Sequence, residues 1–271
     1  MRSQIPMSTL ALTLVSMMAV TSGCLNASAT SGAGGSGGGG GATGGSGGTA
    51  GATVNCNAIS DPIDPTALID DMETPDSMAA MQGGRNGAWW AGGDAESVGA
   101  SIQPNGDVAA EAIPGGRCGS MYGARVTGHG FTQWAVLTVS MGWGSVDGGA
   151  DDLLPFDATG RHGITFWARI GDTSTDSFRV SLSDKYSQPV GGFCVDGPTS
   201  TIDDACFDMF TVGLTQLSTT WKPYRIPFNG LAQRNFGLKR PALDVSSIYT
   251  IEFAPAPSST FDFWVDDVNF Y

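Results

Sequence analysis

Residues 163–170 read GITFWARI, and the alternation in that octet decides the fold class. Ile164, Phe166, Ala168 and Ile170 fall on one side of an extended chain; Thr165, Trp167 and Arg169 fall on the other. The run SFRVSLSD (177–184) repeats the arrangement, with Phe178, Val180 and Leu182 in one row and Arg179, Ser181 and Ser183 in the other. A period of two is the mark of half-buried strands. The same reading predicts strands over 67–73, 88–94, 97–104, 120–128, 134–141, 221–228, 247–255 and 261–271, and a short helix or turn over 229–237. Gly, Pro, Asn and Asp punctuate the gaps. Strands at this density, with no helices between them, predict an all-β chain folded as a β-sandwich jelly roll.

The N-terminus is of another kind. Arg2 is the only charge before STLALTLVSMMAVTSGC (8–24), a positive start, an apolar stretch and a small-residue cleavage region. Residues 1–23 therefore read as an export signal. The residues VTSGC (20–24) resemble the lipobox of bacterial lipoproteins at Ser22, Gly23 and Cys24, and depart from it at Thr21, where an aliphatic residue is preferred. That resemblance implies lipidation of Cys24, and Leu25 after it implies outer-membrane delivery. A plain secretory signal with a coincidental cysteine is the alternative. Residues 24–55 then form a Gly/Ser-rich linker without a charge, a flexible tether with a reach of about 30 Å. The folded head spans 56–271.

Five cysteines are present. Lipidating Cys24 leaves four, enough for two disulfides in an oxidising compartment. Cys194 and Cys206 flank CVDGPTSTIDDAC and form the local pair, whose closure stabilises by about 3 kcal/mol in the chain-entropy model. Cys56 and Cys118 are left to each other. No C-x-x-C spacing supports zinc. The net charge of −13 argues against nucleic acid and anionic lipid as partners, since both call for a basic patch. The membrane is then met only through the lipid.

The sharpest site signal is the outer row of the two alternating runs. If those strands are neighbours, Trp167 is a platform for the apolar face of a sugar ring, with Arg169, Arg179 and Ser183 binding hydroxyls. The alternative is a packed Trp167. In GRNGAWWAGGD (84–94), Trp89 and Trp90 point to opposite faces. One belongs to the core; the other is a second platform or packs on Met78 or Met81.

LIDDME, GGRNGAWWAGGD, GHGFTQWAVLTVSM, GITFWARI, WKPYRIPFNGLAQRNFG and FDFWVDDVNFY, in this order, resemble the carbohydrate-binding-module-like jelly rolls of the galactose-binding-domain superfamily, near the family-11 type. The resemblance covers the whole head and implies a polysaccharide or oligosaccharide partner. It also implies a structural Ca2+ where the first and last strands meet, with Asp71, Glu73 and Asp266 as its ligands. Alternation sends Asp266 and Asp267 to opposite faces, and Asp266 shares the parity of Asp262. Acids that cap turns or pair with arginines are the alternative.

No G-x-S-x-G elbow, H-E-x-x-H or P-loop occurs, and no catalytic residue is assigned. Three functions remain: a non-catalytic, lipid-anchored glycan-binding protein of the cell envelope; a jelly roll without a sugar site; and a lipid-anchored glycoside hydrolase using acids such as Asp184, Asp203, Asp204 and Asp208. The first leads.

Overall fold

The computed structural model describes residues 54–56, 64–80, 82–145 and 152–271. The signal, Cys24 and nearly all of the linker lie outside the described residues, as does Met81. The described chain forms β1 (Leu68–Asp70), β2 (Trp89–Gly93), β3 (Ser101–Gln103), β4 (Gly106–Asp107), β5 (Glu111–Arg117), β6 (Ser120–His129), β7 (Ala135–Ser140) and β8 (Gly142–Gly144). It continues with β9 (Asp152–Leu154), β10 (Gly163–Ile170), β11 (Phe178–Ser183), β12 (Phe210–Leu214), β13 (Lys222–Pro227), β14 (Thr250–Pro255) and β15 (Thr260–Phe270). Each run predicted as a strand overlaps one. Five strands fall outside those runs: β4, β5, β8, β9 and β12. They are short or interrupted, and β5 (EAIPGGR) carries two glycines at positive φ, so none shows a clean alternation. Over 229–237 only the single 3-10 turn Phe228–Gly230 forms.

One sheet runs β13-β10-β15-β6-β3, with β1 also on β15 and β5 also on β6; the second runs β12-β11-β14-β7-β2-β4. Neighbours in both are antiparallel. The inner faces interlock through aromatic rings. Phe253 of β14 meets Phe166 of β10 edge-on at 5.0 Å, and Phe178 of β11 lies 5.5 Å from Phe263 of β15. Ile164, Phe166, Ala168 and Ile170 join this core as their parity predicts, and so do Phe178, Val180 and Leu182. Burying one such side chain stabilises by about 1.5–3 kcal/mol.

The other row of β10 is not bare. Trp167 is only 4% exposed and shares a second apolar cluster with Ile113, Trp221 and Trp264. Guanidinium groups alternate with these rings: Arg117 lies over Trp167 at 4.7 Å and Trp221 at 5.6 Å, Arg169 over Trp221 and Trp264, and Arg125 over Trp264. Each contact is worth about 0.5–2 kcal/mol, more where water is excluded.

β15 breaks its own alternation. Trp167 pairs with Asp266 but Thr165 with Asn269, so one extra residue is inserted, and Asp267 takes φ +48°. The bulge turns both carboxylates toward Arg117, which bonds Asp266 at 2.8 and 2.9 Å and Asp267 at 2.5 Å. Core parity then resumes at Val268 and Phe270. The opposite-face expectation for the two aspartates fails here, because a bulge shifts the phase of every later residue. Beside Arg117, Cys118 is bonded to Cys56, and Cys194 to Cys206, as the sequence pairs them.

Burial pushes the carboxyl of Asp70, bonded to Trp89 Nε1 at 2.7 Å, up to about 6. Burial likewise pushes Asp266 up to about 7, against the pull of Arg117. Unfolded aspartates release their protons near 3.9, so across roughly pH 4–7 the folded state binds more protons than the unfolded one. Stability contributed by these groups is present below that window and falls as pH rises through it. Scanning calorimetry is expected to give a higher Tm at about pH 5 than at about pH 8; a Tm no higher at pH 5 would show that neither group holds its proton in the folded state across this range.

Candidate functional site

The four residues expected to form a sugar site do not come together. Trp167 and Arg169 lie on β10, whereas Arg179 and Ser183 lie on β11 of the other sheet. The outer faces of a sandwich point away from each other. Trp167 is covered by Arg117, and Ser183 is fully buried, 2.6 Å from the hydroxyl of Thr250. Arg179 and Ser183 share by parity the face described next, and of the two only Arg179 reaches solvent.

That face is the outside of the six-stranded sheet. Pairing register places one residue from every strand in a transverse row: Thr211, Ser181, Glu252, Thr138, Trp90 and Asp107. Above it runs a groove of about 760 Å³, lined among others by Trp90, Trp143, Asp107, Gln188 and Glu252. Trp89 turns inward to the core and Trp90 outward, as alternation predicts, and Trp90 is 39% exposed. The outer edge of its ring packs on Gly92, where an added Cβ would stand 2.1 Å from the nearest ring carbon. The indole is thus held against backbone while part of it meets solvent. Trp143 is also exposed, on the β8–β9 hairpin, and Asn86 fixes it through a reciprocal pair of bonds, Nδ2 to Trp143 O at 2.8 Å and Trp143 N to Oδ1 at 3.0 Å. Trp134, just before β7 with the parity of Val136 and Thr138, is exposed as well.

The floor is polar but tied down. Ser181 and Thr211 share a hydroxyl contact at 3.0 Å, and Thr138 donates to the carbonyl of Ile251. Glu252 stands in mid-row, half-buried, with its carboxyl pushed up to about 7 by desolvation against the opposing charge of Arg179. Trp134, Trp143 and Glu252 are not singled out by the sequence reading. The parity of WAVLTVSM carries a signal for Trp134; nothing local marks Trp143 or Glu252.

The acids read as metal ligands are otherwise engaged. Glu73 Oε1 accepts from Ser120 Oγ and the backbone N of Met121, and Asp71 Oδ1 accepts from Glu73 N. Asp266 accepts from Arg117, Ser120 Oγ and Asp267 N. A calcium ion at Asp266 would lie against a guanidinium, so this donor set does not fit one. Among the described residues no group of three or more His, Cys, Asp or Glu side chains converges on a common point.

The acids named for glycoside cleavage serve loops. Asp184 accepts from the backbone N of Tyr186, Ser187 and Asp244, and Asp208 from those of Arg234 and Phe236. Asp204 accepts from Thr201 inside the Cys194–Cys206 loop, and Asp203 pairs with Lys239 at 3.8 Å. A second cavity, of about 440 Å³, lies beside Arg117, Trp167 and Tyr271 on the opposite sheet. Its Arg117 is spent on Asp266 and Asp267, and its Arg161 on Asp64.

Compared with known proteins, residues 79–271 match the family model of carbohydrate binding domain 30. No curated protein matches the chain. Among solved structures, the chain is similar to a family 11 carbohydrate-binding module from Clostridium thermocellum in complex with a β-1,3-1,4-mixed-linked tetrasaccharide, at 18% identity, covering 75% of this chain and 94% of that one, with a TM-score of 0.46. It is also similar to the family 30 carbohydrate-binding module of the cellulosomal cellulase Cel9D-Cel44B of Clostridium thermocellum, at 15% identity, covering 76% and 96%, with a TM-score of 0.45.

With Arg117 as the cation between the strands, a chelator is expected to leave Tm unchanged, whereas Arg117→Met strands two carboxylates and costs about 3–5 kcal/mol in denaturant unfolding. A Tm that drops on chelation would show that a metal holds these strands.

Proposed function

Because this chain belongs to the carbohydrate binding domain 30 family, we propose that it is a non-catalytic glycan-binding protein whose site is the groove on the six-stranded sheet. The observation that carries this reading is Trp90, packed on Gly92 yet exposed among the residues that line the groove. A sugar ring offers C–H groups on its face and hydroxyls at its rim, and a seated indole meets the first. Trp143 supplies a second platform, while Glu252, Asp107 and Gln188 line the groove with groups that bond hydroxyls. Polar groups spread over all strands of the sheet suit a chain lying across it better than a single buried sugar.

The two disulfides fit an exported protein. The finer reading extends this: Cys24 carries the lipid, the Gly/Ser segment is the tether, and the head holds polysaccharide at the outer membrane. The lipobox resemblance supports it.

Three variants test the site by affinity electrophoresis and calorimetry on a panel of soluble glycans. Trp90→Ala and Trp143→Ala are each expected to weaken binding about tenfold or more with Tm little changed. Trp167→Ala is expected to cost about 3–5 kcal/mol of stability through lost packing. Gly92→Ala, by lifting the Trp90 ring, reproduces the binding loss without removing an aromatic group. Full binding in Trp90→Ala would remove the groove from consideration.

A further inference from the structure

The groove on the six-stranded sheet is one-sided in charge. Asp107, Asp152 and Glu252 line it, and among the described residues no Lys, Arg or His does. Register sets Glu252 and Asp107 in one transverse row, on either side of Thr138 and Trp90. Three strand spacings, about 14 Å, separate them. Asp107 is the cross-strand partner of Trp90. Asp152 opens β9 and immediately precedes Leu153, the cross-strand partner of Trp143. Each exposed tryptophan of the groove therefore has an aspartate in its neighbourhood.

The protein does not neutralise these groups itself. None of the three carboxylates forms an ion pair among the described residues. Asp107 and Asp152 are exposed, and the bond that Asp152 Oδ1 accepts from Leu153 N leaves its charge in place. A second observation points to a polar guest. Gln188 lines the groove and is only 6% exposed, yet among the described residues its bonds are backbone ones, N to Asp184 O and O to Gly191 N. A buried amide left without a partner is costly, and a ligand in the groove supplies one. Carboxylates only accept, so that ligand has to bring donors. Hydroxyls use the acceptors but leave the charge standing. An ammonium group does both: it makes charge-assisted bonds to carboxylate and is drawn to an indole face. The net charge of −13 favours the approach of a cation further.

We infer that the glycan held in this groove carries free amino groups, as a glucosamine polymer does, and that Asp107 and Asp152 bind its ammonium groups beside Trp90 and Trp143. Glu252 and Gln188 take hydroxyls of the same chain. The inference rests on the glycan-binding reading of the groove and narrows its ligand class. A charge repeated along a polymer can meet both aspartates at once, which a single amino sugar cannot.

The experiment compares the purified full-length protein with Trp90→Ala and with an Asp107→Asn/Asp152→Asn double variant, by calorimetry at low and high salt. The probes are β-1,4-linked hexamers of glucosamine, N-acetylglucosamine and glucose, at about pH 5.5, low enough to keep a sugar amine protonated. Tm is recorded for every variant. The wild-type protein is expected to bind the glucosamine hexamer about tenfold or more tightly than either uncharged hexamer, with the margin shrinking at high salt. Asparagine keeps the shape and an acceptor but not the charge, so the double variant is expected to lose that margin with its Tm kept. Equal or weaker binding of the glucosamine hexamer, equal binding of its acetylated form, or no binding of any probe overturns the inference. So does a double variant that keeps the margin, or one that weakens all three probes alike. If the glucose hexamer binds without a margin for glucosamine and Trp90→Ala abolishes that binding, the inference falls while the groove reading stands. Unchanged binding in Trp90→Ala strikes the groove reading itself.

Discussion

Arg117 is the residue on which the folded head depends. Its side chain is 2% exposed and bonds two carboxylates of the last strand. Its planar faces lie against Trp167 and Trp221. A guanidinium buried without acids, or two acids buried without a cation, would each be costly; together they offset most of each other's desolvation. The next residue, Cys118, is bonded to Cys56, so one short stretch joins the start of the head to β15 by covalent, ionic and stacking contacts. β15 in turn lies between β10 and β6 at the centre of its sheet.

This clamp sets the sidedness of the molecule. The outer face of the seven-stranded sheet is closed by a ladder of tryptophans and arginines, and a ring already stacked on a guanidinium has no free face for a ligand. The six-stranded sheet has no such cover. Its outward tryptophans remain exposed, its hydroxyls bond laterally to one another, and the register of six antiparallel strands aligns them into one row. Aromatic side chains on one sheet thus stabilise and on the other recognise, with the difference set by what lies above them.

The all-β class and most strand positions were legible because alternation is a local property. GITFWARI and SFRVSLSD show their inward rows without any knowledge of neighbours. The cysteine pairs were legible from count and spacing. The site was only partly so. Trp90 could be assigned to the face opposite Trp89, but Trp167 looked the same by that criterion: parity gives the direction of a side chain and not the depth of what covers it. Arg117 sits in EAIPGGR, whose glycines hide the strand, and its partners lie some 150 residues away in the chain.

By itself the sequence determined the sandwich, the inward rows of its strands, the exported character and the two cystines. These follow from periodicities and counts that each segment carries alone. The tertiary structure alone decided that β10 and β11, consecutive in the chain, lie in different sheets, so that Trp167 and Arg179 face apart. It also decided that a bulge at Asp267 turns two acids onto one arginine, and that Trp90, Trp143 and Glu252 share a groove. The physical reason is the same in each case: which strands pair, and in what register, is settled by the packing of the whole core, and no single strand carries that information.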